Sequence, residues 1–153
     1  MYLTNATLYA MSEVRTIYIA IIDDEEIACR SMSRLLRAAH IQSITYLSAE
    51  AFLADTGRPA FNCLLLDIQL GGMSGLDLSR RLSSVKDATP VIFITANADP
   101  KMRLEAKMSG CAGFFHKTDS GADVLAAIER VIGPVGSDSA PKPGKPMDTE
   151  PAP

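Results

Sequence analysis

Two patterns of apolar residues alternate along the chain. Short runs rich in β-branched residues, typical of buried strands, are followed by segments whose apolar residues recur at helical spacing. The predicted strands are 16–22, 41–47, 61–68, 90–96 and 111–117, and the predicted helices are 25–39, 48–55, 75–85, 99–110 and 120–132. Parallel strands need crossover connections, and these are right-handed. Five successive βα units therefore predict an α/β fold with a five-stranded parallel sheet and helices on both faces.

Helix-capping residues mark several of the predicted boundaries. Pro100 lies in the first turn of the fourth helix and Gly110 at its end, the expected positions for these residues. Ser120 and Asp123 have the spacing of a capping box at the start of the last helix. The boundaries predicted from apolar spacing thus agree with those predicted from capping.

Composition divides the chain into three parts. Residues 134–153 contain six of the nine prolines and almost no large apolar residues, so we expect a disordered tail. Residues 1–14 are expected to be a disordered extension, in which Met11 is a second candidate start. Residues 15–133 form the predicted domain. Because the tail lacks the pattern of a second folded domain, the sequence predicts a stand-alone domain.

Charge and cysteine content narrow the possible functions. The net charge of −3 argues against direct nucleic-acid binding, which usually needs a basic patch. The three cysteines do not have zinc-ligand spacing, and we expect a reducing, cytoplasmic setting. The chain also lacks a run of about 20 apolar residues, so no membrane partner is expected.

Polar residues follow four of the five predicted strands. Asp23 and Asp24 follow the first, Asp67 ends the third, Thr95 ends the fourth and Lys117 ends the fifth. Ligands of open α/β sheets bind beyond the carboxyl ends of the strands. Each residue alone could be a cap, a strand residue or a solvated charge. Their joint occurrence at four strand ends instead predicts one site.

The chemistry of this set favours a metal-assisted reaction at phosphorus. Clustered carboxylates repel one another unless a cation neutralises them, and oxygen ligands with room for water suit Mg²⁺. A carboxylate can then act as a nucleophile towards phosphorus, while a lysine balances the transferred charge. Glu25 and Glu26 are expected in the first turn of a helix, where the helix dipole stabilises them.

These segments resemble the receiver (phosphoacceptor) domain of two-component response regulators. The resemblance covers roughly residues 15–133 and is carried, in order, by IIDDEE, LLLDIQLGGMSGLDL, VIFITA and GFFHK. It implies a flavodoxin-like, doubly wound fold. It also implies that the chain is not an enzyme in the usual sense, because a receiver catalyses only its own phosphorylation and dephosphorylation.

The resemblance assigns the acidic residues to phosphoryl and metal binding. Asp67 would be the phosphoacceptor. Asp24 would ligate Mg²⁺ directly and Asp23 mainly through water, and Asp67 and the backbone carbonyl of Gln69 would be further ligands. The phosphoryl donor would be a phosphohistidine on a sensor histidine kinase or a phosphotransfer protein.

The resemblance also implies a conformational switch. Thr95 would hydrogen-bond a phosphoryl oxygen, Lys117 would pair with the phosphoryl group, and Phe114 would rotate inward when Thr95 moves. The output would be contact with a downstream protein target, with a phosphorylation-dependent homodimer as one form. Gln69 and Asn97 flank the site, and we expect them to position a hydrolytic water.

Three residues depart from the family pattern. Thr118 replaces the usual proline after the lysine, and a cis bond before a non-proline residue costs about 3–4 kcal/mol, so Lys117–Thr118 is expected to be trans. Gly71 replaces a frequent proline and permits positive φ. Phe114 lacks a hydroxyl, so packing alone is expected to set its rotamer.

Three other functions remain open at this point. The first is a receiver-like interaction module that is not phosphorylated. The second is an aspartate-nucleophile phosphatase, although such enzymes carry a second aspartate two residues after the nucleophile, where this chain has Gln69. The third is the receiver half of a truncated transcription regulator.

Overall fold

The computed structural model describes residues 15–97 and 99–133, so the expected disorder of 1–14 and 134–153 lies outside the described residues. The strands are β1 (Tyr18–Ile22), β2 (Gln42–Tyr46), β3 (Cys63–Leu66), β4 (Val91–Thr95) and β5 (Gly113–His116). The helices are α1 (Glu26–Ala38), α2 (Ala49–Ala54), α3 (Gly75–Ser84), α4 (Pro100–Met108) and α5 (Gly121–Ile132). Each element lies within its predicted range.

The strands form one parallel sheet in the order β2-β1-β3-β4-β5. This is the flavodoxin-like order, and the predicted fold class is confirmed. The chain order reverses around β1, which pairs with β2 on one side and with β3 on the other. Ligands of this fold bind at that switch point, beyond the ends of β1 and β3.

The core lies on both faces of the sheet, because successive strand residues point to opposite sides. One face packs against α2, α3 and α4, and the other against α1 and α5. Fully buried side chains on the two faces include Ile22, Leu66, Phe93, Phe52 and Leu78 on the first, and Ile19, Leu65, Ile92, Leu36 and Ile128 on the second. Each stabilises the fold by about 1.5–3 kcal/mol through burial, which fixes the strand ends that carry the polar residues.

Side-chain caps begin four of the helices. Ser48, Ser74, Asp99 and Ser120 each accept a hydrogen bond from a backbone N–H in the first turn that follows. The Ser120 hydroxyl accepts from Ala122 at 3.2 Å rather than from Asp123, so the cap is confirmed without the geometry of a capping box. Gly110 has φ +76° just beyond α4, as expected for a glycine that ends a helix.

In the part of the chain that the structure describes, each helix is too short or too polar to cross a bilayer.

Candidate functional site

Asp23 and Asp67 lie side by side at the switch point of the sheet. The Asp67 N–H donates to the carbonyl of Ile22 at 2.9 Å, and the Asp23 N–H donates to the carbonyl of Tyr46 at 3.0 Å. These bonds continue the pairing of β1 by one residue and fix both side chains at the carboxyl edge. Both residues are buried, with 6% and 4% of their surface exposed. Buried carboxylates of this kind need a charge partner.

Lys117 is that partner. Its backbone N–H donates to the carbonyl of Thr95 at 2.9 Å, which extends the pairing of β4 with β5 to the site. Its Nζ lies 2.8 Å from Oδ2 of Asp23 and 3.0 Å from Oδ2 of Asp67. Three residues that are far apart in the sequence therefore meet at one edge, as predicted from the strand ends.

Burial and neighbouring charges perturb both ends of this ion pair. Burial raises the pKa of the Asp67 carboxyl, and the charge of Asp23 adds to the increase, although the hydrogen bonds from Lys117 and the Gln69 N–H oppose it. Burial alone would lower the pKa of Lys117, but its carboxylate partners outweigh burial and raise that pKa. Lys117 is therefore a permanent cation beside a carboxylate that is poorly solvated.

Three carboxylates at the end of β1 form a group with metal-ligand spacing. One carboxylate oxygen each from Asp23, Asp24 and Glu25 lies within 4.8 Å of the other two. Asp24 is exposed, so water has access to the group. Hard oxygen donors with room for water are what Mg²⁺ prefers, and the Asp23 and Asp24 carboxylates fit that ion, whereas Glu25 contacts Lys117. Asp67 is not one of these three, but Lys117 links it to Asp23, and its predicted role as a metal ligand stays a prediction.

Glu25 has a position that the sequence did not predict. It is the N-cap residue of α1 rather than part of its first turn, and its side chain makes no capping hydrogen bond. Its N–H donates to Oδ1 of Asp23 at 2.8 Å, and its Oε1 lies 3.0 Å from Nζ of Lys117. The prediction that the helix dipole explains Glu25 was therefore incomplete. Glu26 does lie in the first turn.

The loop after Asp67 is held by close contacts on both sides. The Gln69 N–H donates to Oδ1 of Asp67 at 3.0 Å, while the predicted metal contact of the Gln69 carbonyl stays a prediction. A Cβ at Gly75 would overlap the carbonyl oxygen of Asp67, so only glycine fits where α3 begins. Gly72, rather than Gly71, has a positive φ of 80°. The positive φ that Gly71 was expected to permit therefore occurs one residue later, at Gly72.

The predicted switch residues lie on neighbouring strands. Thr95 is fully buried, and its hydroxyl donates to the backbone carbonyl of Asn97 at 3.2 Å. Phe114 is partly buried against the core that faces α2–α4, and the guanidinium of Arg103 lies 5.1 Å from its ring centre. Phe115 packs against the opposite core. Phe114 is therefore the aromatic on the side that faces α4.

The turn after Lys117 has the expected peptide geometry. All peptide bonds among the described residues are trans, so the Lys117–Thr118 bond is trans as predicted. The His116 N–H donates to the carboxylate of Asp119 at 2.8 Å, which closes the turn from β5 towards α5. A threonine in place of the usual proline therefore still leaves Lys117 in the site.

The sequence matches a protein family over nearly all of these elements. The family is described as Response regulator receiver domain, and the match spans residues 19–129. The response regulator protein TmoT of Ectopseudomonas mendocina is 35% identical over 126 residues, which cover 81% of this chain and 57% of TmoT. The transcriptional regulatory protein FixJ of Rhizobium meliloti (strain 1021) is 34% identical over 110 residues, which cover 72% of this chain and 54% of FixJ. The chain thus spans about half the length of the curated relatives it matches.

Solved structures with the same architecture agree with this match. The crystal structure of FixJ-N is 32% identical with a TM-score of 0.70 and covers 77% of this chain and 94% of that one. The BeF3-activated DrrB receiver domain is 26% identical with a TM-score of 0.70 and covers 77% and 98% of the two chains. A CheY-like receiver domain from Methanospirillum hungatei JF-1, at 22% identity and a TM-score of 0.71, supports the fold alone.

Proposed function

The chain belongs to the family of response regulator receiver domains, and on this basis we propose that it accepts a phosphoryl group on Asp67 from a histidine kinase or a phosphotransfer protein. The observation that carries the proposal is the bridge from Lys117 to both Asp23 and Asp67. In this proposal the chain catalyses only its own phosphorylation and dephosphorylation.

The phosphoryl transfer is a substitution at phosphorus. A carboxylate oxygen of Asp67 forms the new P–O bond while the P–N bond of the phosphohistidine breaks, and the leaving imidazole keeps the electron pair and takes up a proton. Asp67 is held for this attack by the Gln69 N–H and by Lys117. The Lys117 ammonium then balances the charge of the phosphoryl oxygens.

The acidic group supplies a place for the metal that we propose as cofactor. Asp23 and Asp24 would hold Mg²⁺, with Asp67 and the Gln69 carbonyl as further ligands. Bound there, the ion would supply positive charge against the developing negative charge of the transferred group. The other roles belong to the protein itself. The Gln69 N–H and Lys117 orient Asp67, and the carboxylates around Lys117 raise its pKa and keep it protonated.

The output step is proposed to run through Thr95 and Phe114. The Thr95 hydroxyl has to leave the Asn97 carbonyl before it can donate to a phosphoryl oxygen. Phe114 then moves inward from its place beside Arg103, which changes the surface formed by α4, β5 and α5. Such a change is a population shift driven by the contacts of the phosphoryl group. Downstream proteins, or a second phosphorylated copy, would bind the changed surface.

A second candidate function concerns the whole protein. Curated relatives of about twice the matched length include one named a transcriptional regulatory protein, so the same receiver could act within a longer regulator. We favour signalling by protein contact, because the net charge of −3 is unlike the basic charge of most nucleic-acid-binding proteins. The length of the coding sequence in the genome separates the two, because a transcription regulator also needs a DNA-binding domain encoded next to the receiver.

Intact mass spectrometry after incubation with acetyl phosphate and Mg²⁺ tests the phosphoacceptor proposal. Wild type should gain the mass of one phosphoryl group, and Asp67→Ala should gain none. A wild-type protein that stays unmodified supports the interaction-module alternative. A mass gain in both proteins moves the acceptor to another residue.

A further inference from the structure

Lys117 is surrounded by carboxylates, because its Nζ donates hydrogen bonds to Asp23 and Glu25 and forms a close ion pair with Asp67. A lysine ammonium has three N–H donors. The three carboxylates within reach are Asp23 at 2.8 Å, Asp67 at 3.0 Å and Glu25 at 3.0 Å. A phosphoryl group on Asp67 takes over the ion pair with Lys117, because it esterifies that carboxylate. With three acceptor oxygens of its own, it also competes for the Lys117 hydrogen bonds to Asp23 and Glu25.

Exposure distinguishes Glu25 from the other two carboxylates. The Asp23 and Asp67 side chains are 9% and 4% exposed, whereas the Glu25 side chain is 62% exposed. A carboxylate that is open to solvent replaces a lost hydrogen bond with water, whereas a buried one is left unpaired. Glu25 is therefore the partner that Lys117 can release at least cost.

The backbone positions Glu25 for this contact. Its N–H donates to Oδ1 of Asp23, so the chain turns sharply after β1 and directs the Glu25 side chain back towards Lys117. As the N-cap residue of α1, Glu25 could cap the helix, yet its side chain makes no such bond. The Glu25 carboxylate therefore contacts Lys117 instead of the helix backbone.

We propose that Glu25 is a positioning residue that holds one hydrogen bond of Lys117 in the unphosphorylated protein and yields it to the phosphoryl group. This inference rests on the proposed phosphorylation of Asp67. Because the Glu25–Lys117 pair stabilises only the unphosphorylated state, Glu25 lowers the affinity for phosphoryl analogues and slows phosphorylation.

The neighbouring residue provides a matched control. Glu26 carries the same charge one position further along, but its Oε1 lies 3.0 Å from Arg30 on the surface of α1. Glu25→Gln and Glu26→Gln remove the same charge from nearly the same place. A difference in affinity between the two variants therefore measures the contact with Lys117, because the general loss of negative charge is the same in both.

Titration with beryllofluoride at saturating Mg²⁺, followed by ¹⁹F NMR, measures the predicted effect. Exposed ion pairs have measured strengths that correspond to about two- to five-fold in affinity. We expect Glu25→Gln and Glu25→Ala to bind beryllofluoride about two- to five-fold more tightly than Glu26→Gln. The rate of phosphorylation by acetyl phosphate should rise in the same order.

Salt dependence separates this role from a merely structural one. The Debye length falls from about 10 Å at 0.1 M to about 3 Å at 1 M ionic strength, so the difference between the Glu25 and Glu26 variants should shrink at high salt. Equal affinities for the variants at low salt would overturn the inference. Weaker binding of both beryllofluoride and Mg²⁺ by Glu25→Ala would also overturn it, because Glu25 would then be a metal ligand.

Failure of the underlying function gives a different result. If wild type neither binds beryllofluoride nor accepts a phosphoryl group, the proposed function fails, and this inference fails with it. If wild type binds beryllofluoride and accepts a phosphoryl group, but the Glu25 variants have the same affinity and rate as Glu26→Gln, the proposed function stands and only this inference is wrong.

Discussion

The Nζ of Lys117 lies 3.0 Å from Oδ2 of Asp67, with 15% of the lysine side chain and 4% of the aspartate side chain exposed. An ion pair this close, at the carboxyl edge of a parallel sheet, gives Asp67 a fixed cation on one side. The same ammonium also reaches Asp23. The arrangement keeps two carboxylates together that would otherwise repel each other.

Removal of the Lys117 ammonium should strongly lower the rate of phosphorylation. We expect Lys117→Gln to lower the rate with acetyl phosphate by about 100-fold, the usual cost of one charge-stabilising donor. Lys107→Gln is the control, because Lys107 is exposed on α4 and its loss changes the net charge equally. Equal rates for the two variants would exclude Lys117 from the reaction.

The raised pKa of Asp67 predicts a pH-dependent gain in stability when this carboxyl is replaced. The pKa of the Asp67 carboxyl is higher in the folded protein than in the unfolded chain, so its ionisation lowers the free energy of unfolding. This loss of stability develops as the pH rises above the ordinary pKa of about 3.9. Without Mg²⁺, Asp67→Asn should therefore be more stable than wild type at about pH 7 and show a smaller gain at about pH 4. Urea unfolding at the two pH values measures the difference, and a gain independent of pH would contradict the assignment.

Two glycines in the loop after Asp67 should respond differently to the same substitution. Gly75→Ala places a Cβ against the Asp67 carbonyl, so we expect a loss of about 1–3 kcal/mol in the free energy of unfolding and slower phosphorylation. Gly71→Ala meets no atom within 4 Å and should be neutral or stabilising by up to about 1 kcal/mol. Chemical denaturation of both variants tests the prediction, and a destabilised Gly71→Ala would argue against the loop conformation.

Mg²⁺ should stabilise the folded protein through the carboxylates that follow β1. A ligand that binds only the folded state adds about 2.7 kcal/mol at 100 times its Kd, so the Tm should rise with Mg²⁺ and fall again with a chelator. Asp24→Asn should lose most of this response, whereas Glu129→Gln, on the exposed surface of α5, should keep it. Thermal melts at several Mg²⁺ concentrations provide the measurement. An unchanged response in Asp24→Asn would remove Asp24 from the metal site.

The sequence was sufficient to predict the fold and the meeting of the main site residues. Apolar periodicity set the ten elements, and the ends of parallel strands necessarily meet at one edge, which brought Asp23, Asp67 and Lys117 together. No spacing rule could reveal the contact of Glu25 with Lys117, because it joins residues 92 positions apart and depends on a turn stabilised by the Asp23 side chain. The Asp-x-Glu pattern after β1 was the one available signal.

Loop details were the least predictable part of the site. The Thr95 hydroxyl donates to the carbonyl of Asn97, two residues further along the chain, at 3.2 Å. Glu50 accepts a hydrogen bond from the Met73 N–H at 2.7 Å and thereby ties α2 to the loop after Asp67. The Glu50–Met73 contact depends on how α2 packs beside that loop, and the Thr95–Asn97 contact depends on the loop conformation after β4. Local patterns of apolar and polar residues encode neither.

Borohydride reduction of the protein after treatment with acetyl phosphate and Mg²⁺ tests the central claim most directly. Borohydride converts an aspartyl phosphate into homoserine, and peptide mass spectrometry then locates the modified position. The account predicts homoserine at position 67 alone, and none when Mg²⁺ is chelated. Homoserine at another aspartate, with Asp67 unchanged, would contradict it.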